Sequence, residues 1–337
     1  MRRYGKGESR PLVAIKRRYA EIVQHQQLRK IAFYARGGLE HFLVPNSYYR
    51  WRLNRWLALA NRYDRDEINR RVGYYNKLDN FFSLPSEAVP MHRIQKSKGT
   101  YLIDFRRIMR HFPPDVRTLS RFGDIRDVSA SPSFVKTRPI DTANENSVLL
   151  RLNSIRHFRP IVDRLEFRHK KDMLVWRGKV KPNHRSTIFK QHFGNPMLDI
   201  GMTNERHEPE LRAWRKPFMS IPEQLQHKFI LSVEGNDVAT NLKWIEQSNS
   251  LCLMAKPKFE SWFMEGTLEA GKHYVRVRDD YADLPEKMSH YRDHPEEAET
   301  IIHNLQRHHA QFTDNTKEHL IGLLVARKYL RLSGQLD

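Results

Sequence analysis

The chain has a single cysteine, Cys252, among 337 residues, which leaves no internal disulfide framework and no thiolate zinc site. No stretch approaches the ~18 apolar residues that a membrane span takes. Met1-Arg-Arg leads into polar sequence without the apolar segment of a signal peptide. The expected compartment is therefore a reducing one, the cytoplasm. Glycine is sparse, and no P-loop or G-x-G-x-x-G is formed. G-x-S-x-G and H-E-x-x-H are missing too, and Cys252 lies inside an apolar run, so a nucleophilic hydrolase or zincin is poorly supported. Acidic residues are in deficit, 39 against 59 Lys and Arg, for a net charge of +20.

That charge implies an anionic partner: nucleic acid, anionic lipid, or a phosphorylated glycan or nucleotide. It is uneven. Residues 1–75 hold 17 Lys and Arg against 6 Asp and Glu, whereas residues 261–300 hold 5 against 10. The first 97 residues read as a basic helical region, in which Trp51, Trp56, Leu57 and Tyr63 stand among arginines. Such a segment suits a lipid headgroup layer, single-stranded nucleic acid, or plain inward packing of the aromatics.

From Lys98 the texture changes to short apolar runs punctuated by Pro, Gly and Asp. T-Y-L-I-D-F-R-R-I, V-R-T-L-S-R-F-G-D, P-S-F-V-K-T-R-P-I, K-K-D-M-L-V-W-R-G, H-K-F-I-L-S-V-E-G-N and G-K-H-Y-V-R-V-R-D-D read as strands. N-S-L-C-L-M-A-K-P reads as a buried parallel strand after a helix over 240–248. Strands alternating with helices predict α/β architecture, with ligands at the carboxyl ends of the strands, near Gly123, Gly178 and Gly235. In V-E-G-N-D-V-A-T-N-L-K-W (233–244), a strand, a polar glycine turn and a helix together offer free backbone N–H groups to an anion.

Candidate chemistry lies at the same turns. Asp124 and Asp127 follow a strand-like run beside Arg126, and a carboxylate there suits a general base or a turn cap. The Asp64-Arg65-Asp66 triplet has the D-x-D form of a cation site but lies in a helical stretch, which aims its carboxylates apart. Lys136 and Arg138, and Arg177 and Lys179, stand where a cation can neutralise a diphosphate. No metal site is expected.

Residues 228–288 resemble the signature region of glycosyltransferase family 90, which includes the protein O-glucosyltransferases. The match runs from the glycine turn through Lys243, S-N-S, Glu260 with its Phe/Trp pair, and H-Y-V to D-D-Y-A-D-L. Upstream, W-R-G, F-V-K-T-R-P, R-V-G-Y-Y-N-K-L and L-N-S-I-R-H-F extend the similarity over roughly residues 65–330, nearest to the bacterial branch that builds the lipopolysaccharide core. The resemblance implies a GT-B-like α/β enzyme of two Rossmann-type lobes, one at 98–170 and one at 171–315. Residues 316–337 would return to the first lobe. It implies inverting, metal-independent transfer of a hexose, glucose or galactose, from a UDP-sugar to a phosphorylated core or lipid A acceptor at the inner-membrane surface. No nucleic acid is then expected. The alternative is a basic nucleic-acid-binding or peripheral membrane protein without catalysis.

Carried over residue by residue, the resemblance makes Asp124 or Asp127 the base, with Asp124 favoured because it ends its run directly. It draws the donor site from Lys136, Thr137, Arg138, Arg177, Gly178, Gly235, Asn236, Asp237, Ala239, Thr240, Asn241, Lys243 and Glu260. Glu260 would receive the ribose hydroxyls. Asn241 stands where eukaryotic relatives have arginine, which shifts phosphate neutralisation onto Arg177 and Lys243.

Overall fold

The computed structural model describes residues 27–40, 43–94, 99–180, 184–205 and 209–337. The most basic part of the expected first region, before residue 27, lies outside them. Residues 27–40 form α1, followed by α2 (Asn46–Ala58) and α3 (Arg65–Tyr75). Asp64 is the N-cap of α3, its side chain accepting from the amides of Asp66 and Glu67 at 2.8 and 3.0 Å. The D-x-D triplet therefore starts a helix. Residues Gly99–Met109 form α4, which corrects the strand expected there. The reason is periodicity: Tyr101, Leu102, Phe105, Ile108 and Met109 share one buried helical face, and the run is long enough for three turns.

Short strands follow. The pair β1 (Val89–Pro90) and β2 (Arg117–Thr118) is antiparallel. Strands β3 (Ser120–Arg121), β4 (Ser133–Val135) and, beyond β5 (Thr137–Pro139), β6 (Ser147–Leu149) make a three-stranded parallel sheet in the order β3-β4-β6. One helical turn, α5 (Ser154–His157), leads away from it.

A second sheet holds β7 (Lys171–Gly178), β8 (Leu198–Met202), β9 (His227–Leu231), β10 (Leu251–Met254) and, after β11 (Phe259–Ser261), β12 (Val275–Arg276). All four pairings in the order β12-β10-β9-β7-β8 are parallel. Read along the chain this is 2-1-3-4-5, a doubly wound order whose direction reverses between β7 and β9. Leu174 and Trp176 face one layer of the core with Phe229 and Leu231, while Val175 faces the other with Ile230 and Cys252. That alternation is the two-residue period of a strand buried on both sides. The G-K-H-Y-V-R-V-R-D-D run pairs only at Val275–Arg276, and the helix expected over 240–248 is one turn, α9 (Leu242–Ile245), after α6 (His184–His192), α7 (Pro209–Ala213) and α8 (Ile221–Gln224).

Three helices close the fold: α10 (Leu284–Asp293), α11 (Pro295–Ala310) and α12 (Asn315–Leu332). The last packs on α3 and α4. Its Glu318 forms a fully buried ion pair with Arg71 of α3 at 2.5 Å. The packing also redraws the expected boundaries. Ile68, Tyr75, Leu78 and Ile94 join one core with α4, α12 and the three-stranded sheet, so residues 65–94 are not a separate basic region. Trp262, Phe263 and Met264 enter that same core, where Trp262 stacks on Tyr75 with ring centres 3.9 Å apart. Between the two sheets, β5 and β11 form an antiparallel ribbon with Arg138 opposite Glu260.

Candidate active site

The turn that leaves β9 divides two cavities. On one side, a cleft of about 480 Å³ lies at the reversal point of the five-stranded sheet. Its floor is the end of β7 (Trp176–Lys179) and the turn 233–238, and Asp124, Lys136 and Arg156 close it from the other sheet. On the other side, a cavity of about 240 Å³ lies over the ends of β10 and β12, walled by Glu234, residues 254–259, Glu265, Asp279 and Tyr281. Gly235, Asn236 and Val238 line both.

Asp124 follows Gly123, whose φ of +129° lets the chain swing sharply after β3. One carboxylate oxygen of Asp124 receives Lys136 Nζ at 2.9 Å, and the other receives Asn236 Nδ2 at 3.4 Å. Lys136 is buried and also contacts Asp237 at 2.7 Å, and Asp237 accepts from Thr137 Oγ1 at 2.8 Å. Lys136, Thr137, Asn236 and Asp237 thus join the two sheets beneath the cleft. Burial pulls the Asp124 carboxyl up, but the hydrogen bond and charge of Lys136 outweigh it and hold the group below its ordinary value. Asp124 is an ionised carboxylate, 37% exposed, on the wall of a cleft. Asp127 points elsewhere: it is 71% exposed and pairs with Arg121 at 2.8 Å.

The other expected donor residues divide into those at the cleft and those committed inside the protein. Gly178, Gly235, Asn236, Asp237, Thr240 and Asn241 line the cleft, and Ala239 lines the smaller cavity. Asn241 fixes the turn by donating to the Leu231 carbonyl at 2.9 Å. The Gly235 amide is taken by the Asp237 carbonyl, whereas the amides of Asn236, Asp237 and Val238 meet no acceptor among the described residues.

Four assignments change on the geometry. Arg177 reaches the cleft wall, but its guanidinium is bidentate to Asp199 (2.9 and 2.9 Å) and donates to the carbonyls of Trp176, Asp199 and Pro217, which uses every donor. Lys243 is buried against Glu265 and lies 4.9 Å from the Phe263 ring centre. Glu260 accepts from Arg138 Nε at 2.7 Å and from the Tyr74 hydroxyl, and lines neither cavity. Arg138 spends its remaining donors on the carbonyls of Tyr74, Tyr75 and Ser147. A buried charge that leaves such partners loses several kcal/mol, so these four hold the walls in place.

Other residues supply what they cannot. Besides the committed Lys136 and Arg177, the cations lining the cleft are Arg156, Lys179 and Arg185. Arg185 is clamped by the carbonyls of Lys179, Val233 and Glu234 at 2.8–2.9 Å and lies directly over Gly235, where an added Cβ would stand 3.1 Å from its Nη2. The carboxylates on the smaller cavity are Glu234, Asp279 and Glu265, the last held by Lys243 and Ser261. Burial pushes Glu234 up to about 7, although its Oε1 accepts the amides of Lys258 and Phe259. The sequence signal for Arg156 was the L-N-S-I-R-H-F motif, which carried the resemblance without pointing to a role. Among the described residues the one group of three possible metal ligands is His290, His294 and Glu297, exposed and lining neither cavity.

A doubly wound parallel sheet with a cation-lined crevice at its reversal point defines an α/β protein built to receive an anionic ligand. Residues 151–316 match glycosyl transferase family 90. The chain is 42% identical to the O-glucosyltransferase LpsA of Dichelobacter nodosus over 315 residues, covering 91% of this chain and 97% of that protein. It is 29% identical over 133 residues to protein O-glucosyltransferase 2 of Danio rerio and 27% identical over 137 to protein O-glucosyltransferase 3 of Homo sapiens. These matches cover 26% and 27% of those longer proteins. The chain belongs to glycosyl transferase family 90, and it is a glycosyltransferase.

Proposed function

We propose that the protein transfers a hexose, glucose rather than galactose, from a UDP-sugar to a lipopolysaccharide core acceptor, with inversion and without a metal. The observation that carries this reading is the arrangement at the sheet reversal point: one ionised carboxylate, Asp124, faces a cleft whose other wall is cationic. In this reading the two sheets are the cores of GT-B-like lobes. The smaller cavity takes the nucleoside, with Glu234 on its wall facing the ribose hydroxyls. The diphosphate crosses the free amides after Gly235 and meets Arg185, Lys179 and Arg156, which stabilise the leaving charge in the role a metal has elsewhere. The transferred sugar lies in the larger cleft, and Asp124 removes the proton of the attacking hydroxyl. The names of the relatives, all O-glucosyltransferases, support glucose.

No described helix is long and apolar enough to cross a membrane. Ile31, Leu43 and Trp51, each more than 60% exposed among the arginines of the first helices, suit a peripheral hold on the anionic cytoplasmic face of the inner membrane. The test is direct. The protein is incubated with UDP-glucose, UDP-galactose and truncated lipopolysaccharide, with and without EDTA, and the mass added is read. A gain of one hexose from UDP-glucose, undiminished by EDTA, is expected. No transfer from either donor would sink the proposal.

A further inference from the structure

A third cavity, of about 590 Å³, adjoins the catalytic cleft and shares Arg156 and Thr240 with it. No acidic side chain lines it, whereas Lys243, paired with Glu265, and four further cations, Arg29, Lys30, Arg156 and Arg159, do. None of these four cationic groups has an ion pair or side-chain hydrogen bond among the described residues. Burial and the nearby charge of Arg29 both lower the pKa of Arg159, the mark of cations gathered without a counter-charge. At the base is His157, 4% exposed, with both ring nitrogens lacking a hydrogen-bond partner. Burial, then the charges of Lys136, Lys243 and Arg156, keep that ring neutral, with one donor and one acceptor to offer. Tyr34, Tyr101 and Trp244 supply aromatic surface around it.

From this juxtaposition we infer that the cavity is the acceptor subsite and that it binds a sugar carrying an oxyanion, a phosphate or a carboxylate, next to the hydroxyl that is glycosylated. Unpaired cations at the rim need an anion. A neutral buried imidazole offers a donor on one nitrogen and an acceptor on the other, and a sugar hydroxyl can serve either. The aromatic faces suit the C–H faces of a pyranose. The shared wall at Arg156 sets a ring bound here beside Asp124's cleft. The inference rests on the transfer reading for its name, acceptor, but the binding it asserts is independent of the donor.

Titration calorimetry with glucose 6-phosphate, glucuronic acid and glucose, with and without saturating UDP, tests it. At least one anionic sugar should bind about tenfold or more tightly than glucose, the range of a charge-assisted hydrogen bond, and the two arms separate phosphate from carboxylate. Arg159→Glu and Arg29→Glu should each abolish that preference while UDP affinity stays within about twofold, and Arg159→Lys should keep most of it. Equal binding of all three sugars, or a preference that survives both charge reversals, would overturn the inference. Failure of UDP to bind would count against the donor site alone, because the titrations without UDP read this cavity by itself.

Discussion

Replacing Asp124 by Asn separates a catalytic base from a turn-holding residue. In the structure the carboxylate has two partners, Lys136 at 2.9 Å and Asn236 at 3.4 Å. Lys136 keeps its closer and more buried partner, Asp237, at 2.7 Å. Asp124 itself is 37% exposed, so solvent screens its ion pair and the substitution should cost about 1 kcal/mol of stability at most. A base in the transition state contributes about 10²–10⁴ in rate, or about 3–5 kcal/mol of barrier. Asp124→Asn should therefore remain folded, bind UDP normally and lose turnover by that factor, measured as UDP released per folded molecule with acceptor present. Asp127→Asn, which loses one solvent-exposed pair with Arg121, should stay within about twofold of wild type. Because the hydrogen bond and charge of Lys136 hold the Asp124 carboxyl below its usual range, that carboxylate stays ionised at neutral pH. An Asp124→Asn enzyme with more than about a tenth of wild-type turnover would refute the assignment. Loss confined to Asp127→Asn would move the base there.

Three further outcomes follow from the packing. Gly178→Ala puts a Cβ 2.4 Å from the buried Trp176 ring, so it should cost about 1–3 kcal/mol in urea denaturation and weaken UDP binding with it. Glu318→Gln leaves Arg71 buried without its counter-charge and should lower stability by about 3–5 kcal/mol, with Arg71→Met adding much less on top of it than it costs alone. Glu234 has a folded pKa of about 7 against an ordinary 4.5, so in that window the folded state keeps a proton that the unfolded chain has released. Its stabilisation is complete below about pH 4.5 and is lost as pH rises through about 7, an effect on the order of 3 kcal/mol. Urea midpoints from pH 5 to 8 should fall in the wild type and flatten in Glu234→Gln.

The five-stranded sheet was largely legible because β7, β9 and β10 are buried on both faces and write themselves as continuous apolar runs. The turns at Gly178 and Gly235 marked where the cleft lies for the same reason. What stayed hidden was pairing across the fold. The role expected of Arg177 depends on Asp199, its bidentate partner on the neighbouring strand, 22 positions away. Glu260 is explained by Arg138, which is 122 positions distant and brought opposite by β5 and β11. Polar side chains at strand ends look alike in a sequence whether they face a ligand or each other. The run at Gly99–Met109 differs from the expected strand because Asp104, Arg106 and Arg107 interrupt its apolar residues in a way that short strand and helix patterns both allow until the neighbours choose one.

The α12 helix has a bearing on how the protein reaches this state as it is made. Leu320, Ile321, Leu323, Val325 and Tyr329 complete the core begun by Ile68, Tyr75, Phe105 and Phe134, some two hundred residues earlier. A ribosome releases all strands of the five-stranded sheet before α12 emerges, so the later half of the chain has its full core while the earlier half still lacks a wall. The expected order of assembly is thus inverted relative to the order of synthesis, and the half that carries Asp124 matures last. Until then its apolar face is open to chaperones, and to other nascent chains.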